Sequence, residues 1–221
     1  MIKRLVTFYF KWTKFSIIGH SMGAYGGFLY SSLFPNDIVH LVSLDVTKPL
    51  ERACGGAMES LVSAITLGLA QESKDFSTKS KVFSYEEAVR LQRRLFGDSL
   101  TEESAKIIMK RGCRQVKPNE YTFTRDVRLL NPGLALSQFR CRGDTLDEMK
   151  RLKCRLLILK GKEGPFLEPE ETNAEALEIY RKSCPYFEYH LVEGDHYFHL
   201  NFPEEAARLI NSFFLKSKSL L

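Results

Sequence analysis

Apolar positions along the chain follow two different periods, and the change between them divides it. Phe15 to Ile18 is a short run of β-branched and aromatic residues closed by Gly19, the pattern of a buried strand. The stretch Ser21 to Leu33 is rich in small and apolar residues and stops ahead of Pro35, so the unit reads strand, tight turn, helix. A second apolar run, Val39 to Val46, leads into Asp45, Thr47 and Pro49. Its spacing of about two dozen residues from the first run suits a βαβ crossover in a parallel sheet.

From Leu50 to about Lys153 the pattern becomes helical, and no strand is expected there. Ser84 followed by Glu87 is a capping box ahead of Ala88, Val89, Leu91, Leu95 and Phe96, with Gly97 as the stop. Ser99 with Glu102 repeats the signal before Ala105, Ile107, Ile108 and Met109, and Gly112 closes that segment. The strand pattern returns at Arg155 to Lys160 and again at Phe187 to Val192, with a helix expected over Thr172 to Lys182. Pro203 opens a last helix whose Ala206, Leu209, Ile210, Phe213 and Phe214 share one face. The expected division is a core at residues 1–49 and 154–221 with a helical insertion at 50–153.

Composition changes this picture little. The chain has 221 residues, 44% of them hydrophobic, enough for one sizeable core. Its net charge of +5 comes from 32 basic and 27 acidic residues spread along its length. They form no stripe of the kind that binds nucleic acid, so no nucleic-acid partner is expected. Five cysteines form no CxxC pair and no metal-spaced set with histidine, so free thiols, no metal and no cofactor are expected. The apolar run Leu5 to Phe10 is too short to cross a bilayer, and no integral membrane segment is expected. Cytosol is the default compartment; the terminal Ser219-Leu220-Leu221 only loosely imitates a Ser-Lys-Leu peroxisomal address. Oligomeric state is not legible.

The chemistry concentrates at Gly19-His20-Ser21-Met22-Gly23, a G-x-S-x-G nucleophile elbow between a strand and a helix. The turn is sharp, so a Cβ two residues to either side of the serine is expected to collide. The following helix aims its first amides at a developing oxyanion, with Met22 N–H as the natural donor. A serine needs an imidazole base. His196, in Glu193-Gly194-Asp195-His196 just after the last strand, fits the order Ser, acid, His. For the acid that orients the ring, Glu163 in the turn after Arg155 to Lys160 stands first, and Asp45 at the end of the earlier strand is the alternative.

The segment Lys11 to Gly23, the strand Val39 to Asp45, and Glu193 to His196 with His199-Leu200 and Pro203 resemble the α/β-hydrolase superfamily, in particular animal serine hydrolase-like proteins. The resemblance implies an α/β fold, a mostly parallel sheet with flanking helices, and makes 50–153 a cap or lid over the active site. It also implies cleavage of a small-molecule carboxylic ester or thioester through an acyl-enzyme on Ser21. Two departures follow. The position three residues beyond the glycine of the seventh strand, where most members carry an aspartate, is Gly164. The family also places strands and a His-Gly loop ahead of the elbow, and Met1 lies only 20 residues before Ser21, so the first strands and the second oxyanion donor are expected to be missing. The alternative reading is therefore a truncated, catalytically silent hydrolase fragment or binding protein.

Overall fold

The structure is a computed structural model that describes residues 1–49, 57–73, 81–95, 97–126, 141–165 and 170–218. The chain divides into two compact units, Met1–Glu51 with Arg140–Leu221, and Arg52–Phe139.

The first unit is built on four parallel strands, β1 (Phe15–His20), β2 (Ile38–Leu44), β5 (Arg155–Gly161) and β6 (Phe187–Val192), in the order β1-β2-β5-β6. Each is a few residues of Val, Ile, Leu or aromatics, the types that fill a pleated surface buried on both faces. Because side chains alternate, β5 sends Leu156 and Ile158 into one apolar layer and Leu157 and Leu159 into the other. The first layer lies under α2 (Met22–Leu33), α6 (Arg142–Lys150) and α7 (Glu170–Ser183), with Phe28, Met149 and Tyr180. The second holds Val42, Val192, Phe198 and Phe213, under the short α8 (Phe198–Asn201) and α9 (Pro203–Lys218).

Helix α2 sits close to the sheet because of its small residues: a Cβ on Gly27 would lie 2.7 Å from Leu41 Cδ1. The region Ile2 to Lys14 ahead of β1 is helical only in part, with α1 (Ile2–Arg4) continuing as a π-helical Leu5–Phe10 that Lys11 ends at φ 55°.

The second unit contains α3 (Ala57–Glu72), α4 (Tyr85–Leu95) and α5 (Glu102–Gly112). The Ser84 capping box forms as expected: Ser84 N–H donates to Glu87 Oε2 at 2.8 Å and Glu87 N–H to Ser84 Oγ at 3.2 Å. Gly97 follows α4 at φ 64°, the left-handed conformation that ends helices. Phe96 lies outside the described residues.

Three details differ from the sequence expectation. The cap of α5 is Thr101, whose hydroxyl accepts from Ser104 N–H, and not Ser99. The unit does contain strands, β3 (Cys113–Lys117) and β4 (Glu120–Phe123), an antiparallel hairpin turned at Pro118-Asn119 with Asn119 at φ 58°. Their residues are mostly polar, so the pairing shows no apolar alternation; the Pro-Asn turn is the only local signal. Finally, α6 falls within 50–153 but belongs to the first unit, where Met149 fills the core. No described helix is long and apolar enough to cross a membrane.

Candidate active site

In a parallel sheet the loops at the carboxyl ends of the strands form the crevice where ligands bind. Four such loops meet here. Ser21 follows β1, Asp45 follows β2, the turn Gly161 to Gly164 follows β5, and His196 follows β6. Backbone bonds fasten neighbouring loops to one another: Ser21 N–H donates to Leu44 C=O at 3.2 Å and Asp45 N–H to Leu159 C=O at 2.8 Å.

Ser21 has φ 51° and ψ −120°, a conformation that non-glycine residues avoid. The turn closes only because Gly19 lacks a Cβ, which would lie 2.6 Å from the carbonyl carbon and oxygen of Gly23. A Cβ on Gly23 itself would meet nothing within 4 Å, so the steric demand falls on one side of the serine and not both. Met22 is the first residue of α2, so its N–H lies in the turn that has no intrahelical acceptor and is placed to bind an oxyanion.

The acid beside the base is Asp45. His196 Nδ1 donates to Asp45 Oδ2 at 2.5 Å, which leaves Nε2 as the ring nitrogen for a proton from the serine. Asp45 has no exposed side-chain surface, and its Oδ1 accepts from Lys160 Nζ at 2.6 Å and from Gly161 N–H at 3.0 Å. Glu163, the first choice from the sequence, does not occupy this position. The turn directs residue 163 to solvent, its N–H donates to Gly194 C=O at 3.1 Å, and Gly164 is the residue that backs onto Asp45.

Ser21, Asp45 and His196 line one cavity of about 230 Å³, together with Tyr25, Thr47 and Lys48. Neither the serine hydroxyl nor His196 Nε2 has a hydrogen-bond partner among the described residues, so both are open to a reactant. Such contacts commonly tighten only once substrate is bound.

Two further histidines surround the base. His20 Nε2 bonds the carbonyl of His196 at 2.8 Å, and because a carbonyl only accepts, Nε2 carries the hydrogen. This joins the elbow to the base-bearing loop. The rings of His196 and His199 lie 4.4 and 4.2 Å from that of His20, centre to centre. Burial first, and the neighbouring imidazoles second, lower His20 and His199 from 6.5 to about 4.

Lys160 and His20 were not singled out in the sequence. Lys160 reads as the polar end of an apolar strand, and a weak signal was that it follows Leu156 to Leu159 without a break. Cys113, Cys141, Cys154 and Cys184 are free thiols, while Cys54 lies outside the described residues. Among the described residues no group of His, Cys, Asp and Glu is arranged to hold a metal ion.

Strand order, elbow and loop placement together define the α/β-hydrolase fold. The comparisons agree: the chain superposes on a hypothetical protein from Pseudomonas aeruginosa with a TM-score of 0.79 and 26% identity, covering 97% of this chain and 72% of that one. It superposes on the thioesterase domain from the curacin biosynthetic pathway with a TM-score of 0.66 and 19% identity, covering 97% and 70%. In sequence it resembles serine hydrolase-like proteins. It is 29% identical to a probable serine hydrolase of Drosophila melanogaster, over 96% of this chain and 63% of the relative. It is 28% identical to a serine hydrolase-like protein of Danio rerio, over 92% and 61%. The chain therefore spans less than two thirds of the length of either relative. No family model matches it.

Proposed function

We propose that this chain is a serine hydrolase of the carboxylesterase type, which cleaves a small-molecule carboxylic ester or thioester through an acyl-enzyme on Ser21. The observation that carries the reading is the 2.5 Å bond between His196 Nδ1 and Asp45, with Ser21 on a strained elbow in the wall of the same cavity. His196 Nε2 takes the proton of Ser21 Oγ as the oxygen attacks the acyl carbonyl. The Met22 amide stabilises the oxyanion, and the imidazolium gives its proton to the leaving alcohol or thiol. Water, deprotonated by the same ring, then attacks the acyl carbon, and the imidazolium returns its proton to Ser21 Oγ as the Oγ–acyl bond breaks and the acid leaves.

Asp45 keeps the ring in the tautomer this cycle requires. The insertion at 50–153 is assigned the cap role that the resemblance implies, and the cytosol is the compartment assigned to the chain.

The test is covalent labelling of the purified chain by a fluorophosphonate probe, with the modified residue mapped. Labelling of Ser21 that is lost in Ser21→Ala and falls at least a hundredfold in rate in His196→Ala supports the reading. A folded chain that does not label overturns it in favour of a catalytically silent hydrolase scaffold.

A further inference from the structure

We propose that Lys160 is a positioning residue of this site: its buried ammonium holds the Asp45 carboxylate so that Oδ2 faces His196, in a space that exists only because residue 164 has no side chain. The proposal rests on the hydrolase reading for its consequences in turnover, though not for its geometry.

Asp45 and Lys160 are 0% and 1% exposed, so neither charge is solvated by water. A buried carboxylate is stable only when its lone pairs are occupied. Lys160 Nζ, 2.6 Å away, and Gly161 N–H, 3.0 Å away, both bind Oδ1. With that oxygen fixed from one side, the carboxylate plane is set, and Oδ2 presents its lone pair to His196 Nδ1. Lys160 Nζ also donates to the carbonyl of Gly161 at 3.2 Å, and both donors to Asp45 Oδ1, Lys160 Nζ and Gly161 N–H, belong to strand β5.

Gly164 completes the argument. A Cβ built there would lie 2.4 and 2.6 Å from the two carboxylate oxygens of Asp45 and 2.6 Å from Lys160 Nζ. These contacts are far inside van der Waals distance, so the Asp45 carboxylate and the Lys160 ammonium would have to shift from their present positions to admit a side chain. The Asp45 carboxylate in this pose and a Cβ at position 164 therefore compete for the same space. Asp45, Lys160 and Gly164 form one coupled set.

The test compares Lys160→Met, Asp45→Asn, the double variant and Gly164→Ala in the full 221-residue chain. Methionine matches the shape of lysine without its charge, and the double variant removes both buried charges together, so it serves as the better-folded comparison where Lys160→Met loses stability. For Lys160→Met and Gly164→Ala, kcat is expected to fall about a hundredfold with KM within about twofold, because a misaligned ring impairs chemistry and not binding. In the Asp45→Asn background, Lys160→Met is expected to lower kcat by less than about threefold, since it acts only through the missing carboxylate. The low-field NMR resonance of the His196 Nδ1 proton should be present in the wild type and lost or broadened in Lys160→Met and Gly164→Ala.

The proposal is overturned if Lys160→Met keeps its turnover and its resonance while losing only thermal stability, or if the losses from Lys160→Met and Asp45→Asn multiply. It is also overturned if the wild type shows no such resonance. The resonance does not require turnover, so a chain that fails to hydrolyse anything still decides the question.

Discussion

A carboxylate without exposed surface needs donors on both oxygens, and Asp45 has them in Lys160, Gly161 and His196. Glu163 has solvent. Asp45→Asn, which keeps the shape and loses the acceptor charge, is therefore expected to lower kcat by about 10³ to 10⁴, the scale seen when an orienting acid is lost from a triad. Glu163→Gln should stay within about twofold in the same ester-hydrolysis assay. Equal losses in the two variants would remove Asp45 from its assigned role. The histidines beside the base set a different dependence. His20 and His199 are lowered to about 4 from an ordinary 6.5, so the folded chain holds both neutral through a range in which the unfolded chain protonates them. The unfolded state then binds more protons, and stability falls as pH drops from about 6.5 towards 4, by on the order of a few kcal/mol for the pair. Urea titrations at pH 7, 6 and 5 should show this decline, and His199→Phe should flatten it. An unchanged midpoint from pH 7 to 5 in the wild type would contradict it.

At the scale of elements, the positions where one residue governs a whole segment are caps and turns. Ser84 and Glu87 satisfy each other's backbone donors at the start of α4, so Ser84→Ala should cost about 1 kcal/mol and speed hydrogen exchange in Tyr85–Leu95 without affecting the first unit. Exchange unchanged in α4 would mean that the cap is not limiting. Elements of this kind were legible in the sequence because their causes are local. The Ser84 box, the Gly97 stop, the elbow glycine and the apolar runs of β1, β2, β5 and β6 each lie within a dozen residues of the structure they specify. What was not legible depends on distance in the chain. Glu163 and Asp45 are both carboxylates just past strand ends, and only the way the 161–164 turn settles against Asp45 separates them, 116 to 119 residues further along the chain. Lys160 looked like a strand terminus because its partner lies on another strand, and β3 and β4 were missed because a polar hairpin carries no apolar period.

For the molecule as a whole, the sheet is covered unevenly. Strands β2 and β5 have a neighbour on each side, whereas β1, which leads to Ser21, has only β2 among the described residues. Ile18 on that strand is 54% exposed, and Phe8, Tyr9 and Trp12 ahead of it in the chain are 76%, 75% and 52% exposed. Open edges flanked by apolar surface recruit other chains or strands. The purified 221-residue chain is accordingly expected to bind the dye ANS and to self-associate with rising concentration in the micromolar range. Ile18→Lys should reduce both signals without unfolding the sheet, because the side chain it replaces already faces solvent and makes no core contact that lysine would lose. Static light scattering and dye titration of the two proteins at matched concentrations measure this. If the wild type stays monomeric and dark with the dye, the exposed side chains of β1 do not recruit a second chain. If Ile18→Lys associates as strongly as the wild type, the contact surface lies elsewhere on the chain, and α3, with Val62 63% and Leu69 61% exposed, is the next to vary.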